Sequence, residues 1–412
     1  MIKFDKFTLN NGLRVIVHHD NTTPVVAFNL LYNVGARDEN PDKTGFAHLF
    51  EHLMFEGSKN IPHYDTPLQN AGGENNAFTN NNFTNYYITI PKDNLETAFW
   101  LESDRMLELA FSQQKLDIQK KVVIEEFKQR YLNQPYGDWN LILRPLAYKK
   151  HPYRWSTIGK NISHIENASL NEVKEFFFKH YAPNNAILVV AGNVATSEIK
   201  ILAEKWFGDI AARDVAARNI PEEPKQDKYR FTEVERPVPL NTIYRAYHMV
   251  GRKNPDYYAT DLISDILSNG KSARFTQKLV KEQKLFSQID AYVTGDIDPG
   301  LFIIAGNLSN GVSFEQGQNA IKAELDKIAN EPIDEHELKK VQNKVEANLI
   351  YSEINILNKA MNLAYFELLG NANLINVETE NYQKVTPEQI QKVASNLFLN
   401  SNCSELFYHA KK

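Results

Sequence analysis

Three side chains in this 412-residue sequence could do chemistry together: His48, Glu51 and His52, in the run His48-Leu49-Phe50-Glu51-His52. On a helix, residues four apart share a face, so both imidazoles can reach one ion. Glu51 follows His48 by three positions and lies beside that face, near enough to take a proton from a water held there without itself binding the ion. The order reverses the His-Glu-x-x-His pattern of zinc hydrolases. With 11 His in 412 residues, chance would produce such a pentapeptide in about 2% of comparable chains. The surrounding helix is apolar, with Phe46, Leu49, Phe50, Leu53, Met54 and Phe55. Ionisable groups set there are costly to bury unless something pairs them.

Zinc needs a third protein ligand and an open position. Cys403 is the single cysteine, so a thiolate cluster and an internal disulfide are both excluded. The pair Glu125-Glu126, on a later helical stretch, offers a carboxylate. Adjacent residues point about 100° apart on a helix, so one of the two faces the metal, and spacing does not choose between them.

The elements that position these groups are written twice. Tyr32-Asn33-Val34-Gly35-Ala36-Arg37 has a counterpart in Tyr247-His248-Met249-Val250-Gly251-Arg252, Leu146-Ala147-Tyr148 in Leu363-Ala364-Tyr365, and the capping box Ser169–Glu172 in Thr386–Gln389. The offsets are 247 − 32 = 215, 363 − 146 = 217 and 386 − 169 = 217. Between the halves runs a polar stretch with Pro221 and Pro224, the composition of an exposed linker. At about 150 residues per domain, the length admits two or three domains. The expected division is 1–216, a linker over 217–228, and 229–412.

Within each half, alternating strands precede and follow a first helix, then several helices lead to a last strand. Leu13–Val17 and Val25–Leu31 alternate as strands do, and the Asn-rich turn between Ala77–Thr79 and Tyr86–Ile90 predicts a hairpin. The fold class is therefore α+β: two homologous domains, each a mainly antiparallel sheet packed against helices. Aligning Gly57 with Gly270 places Asp261, Ser264 and Asp265 where the first half has His48, Glu51 and His52. The second half thus lacks the imidazoles, and one metal per chain is expected.

Composition narrows the partners. A formal charge of −5 makes no electrostatic case for nucleic acid. No run approaches the roughly 18 apolar residues of a membrane span, and Ala186–Ala191 reads as a buried strand. The N-terminus enters a strand pattern without a secretory h-region. Cytoplasmic residence is the expectation, or periplasmic if a leader was removed, and triplets such as Asn82-Phe83-Thr84 and Asn161-Ile162-Ser163 then carry no sugar.

The chain resembles the pitrilysin/insulinase family of inverted zinc proteases, in particular short bacterial members similar to mitochondrial processing peptidase. The residues that carry the resemblance are His48-x-x-Glu51-His52, Gly72-Gly73-x-x-Asn76-Ala77-x-Thr79, Thr84-x-Tyr86-Tyr87 and Val122-Val123-x-Glu125-Glu126. It spans essentially the whole chain. The resemblance implies a zinc endopeptidase acting on peptides or unfolded polypeptides, with His48, His52 and Glu126 as ligands of one Zn²⁺ and Glu51 as general base. It further implies that Asn76, Ala77, Phe78 and Thr79 form an edge strand holding extended substrate, against the bland alternative of a buried strand.

The chain departs from the family pattern in two respects. Gln119 replaces an additional Glu seven positions before Glu126. Val280 and Ser287 fall where active single-chain members carry an Arg and a Tyr that stabilise the oxyanion, although Arg274 or Tyr292 could serve if the loop is offset. Such donors are commonly worth several kcal/mol. The resemblance then implies a heterodimer with a homologous chain that lacks the zinc motif but keeps the pair, with a homodimer as fallback. The rival from another class is a scaffold subunit that kept the fold and lost activity.

Overall fold

The computed structural model describes residues 1–215 and 217–411, so the expected domain limits at 216 and 412 fall outside the described residues. The chain forms two compact units, each built on one sheet. In the first, the strands are β1 (Asp5–Thr8), β2 (Arg14–His19), β3 (Val25–Tyr32), β4 (Glu74–Thr79), β5 (Thr84–Pro91) and β6 (Ala186–Gly192), in the order β1-β2-β6-β3-β5-β4. All neighbours are antiparallel except β2 and β6. The apolar run of β6 is buried along its whole length, as a central strand covered on both faces must be.

The second unit has β7 (Arg230–Arg236), β8 (Thr242–His248), β9 (Phe286–Val293), β10 (Leu301–Leu308) and β11 (Cys403–Ala410), in the order β7-β11-β8-β10-β9. Each strand of this sheet has a counterpart in the first. β5 and β10 begin at 84 and 301, and β6 and β11 at 186 and 403, both offset by 217. The parallel pair recurs as β7 with β11.

Compactness divides the chain differently from its sequence halves. The first unit comprises 1–127, 156–220 and 350–377; the second comprises 128–155, 221–349 and 378–411. The physical reason lies in the cores. Trp139 stacks on Tyr244 at 5.0 Å, and Leu143, Tyr148 and Tyr153 are buried with Ala246, Ile303 and Leu406. The Ile356–Leu368 helix instead packs on β3 and β6. The switch at Ile220/Pro221 lies inside the expected 217–228 linker. No helix among the described residues is long and apolar enough to cross a membrane.

Candidate metal centre

The site begins with α1 (Phe46–Leu53). Its entry requires Gly45, whose φ is +89°; a Cβ there would meet the Ile158 carbonyl oxygen at 2.8 Å. The first turn is capped from a distance: the Gly45 and Ala47 N–H groups donate to the Glu39 carboxylate at 3.0 and 2.8 Å. The apolar face is anchored by Phe50, whose ring meets those of Phe176 and Tyr181 at 5.3 and 4.8 Å. With Phe46, Leu49, Phe50 and Leu53 buried, the helix turns His48, Glu51 and His52 towards its remaining face. The two imidazoles lie 4.9 Å apart between ring centres.

The facing helix, α2 (Gln113–Phe127), delivers Glu126. Its Oε2 lies 3.6 Å from His48 Nε2 and 3.5 Å from His52 Nε2. One donor atom from each of the three residues falls within 4.8 Å of the others. With metal–ligand bonds of 2.0–2.1 Å, a tetrahedral zinc ion requires donors about 3.4 Å apart. The donor set and its spacing therefore fit zinc. Glu125, one residue earlier, is exposed and lies outside the group, as the 100° step between neighbours demands.

Glu51 stands beside the three donors without joining them. Burial pushes its carboxyl above the ordinary range, opposed by a hydrogen bond from Thr79 and by the nearby His52. Thr79 ends β4, one of the two edge strands of the first sheet, which pairs with β5 from Glu74↔Thr89 to Thr79↔Thr84. Exposure alternates along β4, with Asn76 and Phe78 outward and Ala77 and Thr79 partly covered. Among the described residues its outer edge carries no further strand. The Thr79 hydroxyl also donates to Thr84 Oγ1 at 3.3 Å, and the approach of the edge strand to the Glu51 carboxylate has no signal in spacing.

Beneath the site lies a second arrangement that sequence reasoning missed. Arg105 is fully buried, with its Nε 2.7 Å from Glu102 Oε2. Its guanidinium lies 4.6 Å from the ring centre of Tyr64 and 4.4 Å from that of Tyr86. Tyr64 donates to Glu102 at 2.6 Å, and the Tyr86 and Tyr181 hydroxyls meet at 3.1 Å. The available signal was a Glu and an Arg three apart, one helical turn, within the run Leu101-Glu102-Ser103-Asp104-Arg105-Met106.

The positions singled out as departures take other roles. Gln119 donates to Glu56. In the second unit Val280 packs against the core, and the Ser287 hydroxyl donates to the Asn307 carbonyl at 3.2 Å. Arg274 is held by Glu337, with its Nη2 at 2.6 Å, while Tyr292 is 38% exposed on β9. In α3 (Asp256–Ser268), Asp261 accepts from Tyr382 at 2.6 Å and Asp265 accepts from Asn269. These carboxylates belong to no metal-ligand group among the described residues.

Two family models match the chain. A family model described as insulinase (peptidase family M16) matches residues 14–138, which contain all four side chains of the site. A model described as peptidase M16 inactive domain matches residues 167–345. The chain is 32% identical over 354 residues to the zinc protease PqqE of Helicobacter pylori, covering 84% of this chain and 80% of that one. It is 25% identical over 327 residues to a probable mitochondrial-processing peptidase subunit beta of Schizosaccharomyces pombe, covering 74% of this chain and 70% of that one. The crystal structure of a protease from Helicobacter pylori superposes with a TM-score of 0.92 at 28% identity, over 99% of this chain and 100% of that one.

Proposed function

This chain belongs to the insulinase family of M16 peptidases, and from that premise we propose that it is a zinc-dependent endopeptidase cleaving short or unfolded polypeptides. The single observation that carries the reading is the convergence of His48, His52 and Glu126 at 3.5–3.6 Å across two helices, with Glu51 alongside. His48, His52 and Glu126 would hold the ion. Zinc, when bound, supplies a Lewis acid that makes water a usable nucleophile near neutral pH. Glu51 accepts the proton of the attacking water and passes it to the leaving amine. A carboxyl raised by its setting is suited to both transfers. The free edge of β4, from Asn76 to Thr79, aligns an extended peptide through backbone hydrogen bonds. Thr79 holds Glu51 in register with that peptide.

On this reading the first half carries the chemistry and the second half supports it. The oxyanion donors missing at Val280 and Ser287 are supplied by a homologous partner chain that carries them; a homodimer, which lacks them equally, is the fallback assembly. The relative named as a subunit of a processing peptidase supports a paired assembly. The test combines metal analysis with cleavage of a quenched peptide, with and without a candidate partner. Stoichiometric zinc with cleavage is expected. A scaffold role is favoured by the same Val280 and Ser287 and by the inactive-domain match. No zinc and no cleavage under either condition would establish it in place of the peptidase.

A further inference from the structure

The duplication provides an internal comparison that points to a docking site on β7. In the first sheet β2 is not an edge: β1 covers it, antiparallel, from Asp5↔Val17 to Thr8↔Arg14. Its counterpart β7 is an edge, pairing among the described residues with β11 alone. At the 217 offset, the segment equivalent to β1 (Asp5–Thr8) is Glu222-Glu223-Pro224-Lys225. Proline lacks the N–H a ladder needs. Glu223 is moreover drawn elsewhere, accepting the N–H groups of Lys149, Lys150 and His151 at 2.7, 2.7 and 2.9 Å. The strand that closes one edge has become linker at the other.

The open edge is also chemically distinct. Where the first half has Gly12 and Arg14, the second has Tyr229 and Phe231, 37% and 43% exposed. Their rings lie 6.3 Å apart at 15°, and Phe231 continues through Phe407 at 4.9 Å to Phe314, which stacks on Phe407 at 4.2 Å. Exposure alternates along β7, so Glu233 and Glu235 follow Phe231 on the outward face. Glu233 lies 3.2 Å from His409 Nε2 and Glu235 3.5 Å from Lys411 Nζ, surface pairs that an incoming basic side chain can replace. Charges normally blunt an edge; acidic ones do so against acidic or neutral strands and favour a basic one.

We infer that the outer edge of β7 binds an extended segment of another polypeptide, added as a strand, with an aromatic or aliphatic side chain against Tyr229 and Phe231 and basic side chains opposite Glu233 and Glu235. Backbone hydrogen bonds supply affinity and the alternate side chains supply selection. The segment around β1 has this character, with Lys3, Phe4, Lys6 and Phe7 on either side of Asp5, and serves as the probe. The inference is independent of the metal centre.

The experiment is hydrogen exchange on the full chain with a synthetic peptide of the sequence Ile2–Leu9. The outward amides of β7 should exchange fast in the free chain and slow by about tenfold or more with peptide. A scrambled peptide should leave them unchanged. Tyr229→Ser with Phe231→Ser, and separately Glu233→Lys with Glu235→Lys, should each weaken peptide binding about tenfold, or 1.4 kcal/mol, and leave zinc content and cleavage unaltered. Outward amides already protected without peptide, or unaffected at millimolar peptide, would overturn the inference. So would concentration-dependent sedimentation abolished by the serine variants, since a second copy would then be the occupant.

Discussion

Thr79, the last residue of an edge strand, stands beside Glu51 and favours its charged form, while its hydroxyl donates to Thr84 Oγ1 at 3.3 Å. In the proposed mechanism, substrate alignment and proton transfer therefore meet at this side chain. Thr79→Val keeps the shape and the backbone N–H but removes the hydroxyl. It should lower kcat about tenfold, the scale of one hydrogen bond to a charged group, with KM within about twofold. Thr79→Ser should restore most of the loss; equal kcat for Thr79→Val and wild type would remove the hydroxyl from this role.

Glu51→Gln preserves volume and removes the base. The protein should retain zinc, read by atomic absorption, and lose about 10²–10⁴-fold in turnover, the range of general-base removal. Preserved turnover would exclude Glu51 as base.

The two adjacent carboxylates on α2 should separate cleanly. Glu126→Gln should weaken zinc binding at least about 100-fold, more than loss of a ligand's outer partner costs, because Glu126 lies 3.5–3.6 Å from both imidazoles. Glu125→Gln should bind zinc as wild type does. Competition with a chelator reads both, and equal behaviour would refute the assignment.

The buried Glu102–Arg105 pair predicts an asymmetric stability response. Arg105→Met leaves the Glu102 carboxylate buried without its partner and should destabilise the protein by about 3–5 kcal/mol in urea unfolding. Replacing both, as Glu102→Leu with Arg105→Met, should cost less than the single change. A double variant weaker than the single would contradict this account.

Asp261, the counterpart of His48, makes a pH prediction. Burial raises its carboxyl from 3.8 to about 6, with Asp265 and Glu378 adding to the rise and Tyr382 and Arg252 opposing it. The folded state therefore holds its proton more tightly than the unfolded chain. The stability it contributes is full below about pH 4 and lost as pH rises through 6, amounting to about 3 kcal/mol. Asp261→Asn keeps an acceptor for Tyr382 and should gain on wild type by that amount between pH 4 and 8. An unchanged difference across that range would contradict it.

Much of this was legible before any coordinates. Periodicity located α1 and the β4–β5 hairpin, and the capping box at Ser169 and Glu172 closes with contacts of 3.3 and 2.8 Å. Local rules sufficed because helices, turns and caps are set by residues within a few positions of one another. The exchange of 128–155 and 350–377 between units was not legible, since a helix's apolar face records that it must be covered, not by which sheet.

The sequence by itself determined which groups are present: two imidazoles one turn apart on α1, a carboxylate next to them, and a duplicated half without them. Tertiary structure alone decided that Glu126 rather than Glu125 meets the imidazoles, that Thr79 comes to stand beside Glu51, that Arg274 is spent on Glu337, and that β7 lacks the strand β1 gives β2. The physical reason is common to all four. Each depends on the direction in which a side chain or strand edge points after distant segments pack, and pattern along the chain encodes the kind of surface an element presents but not the neighbour that meets it.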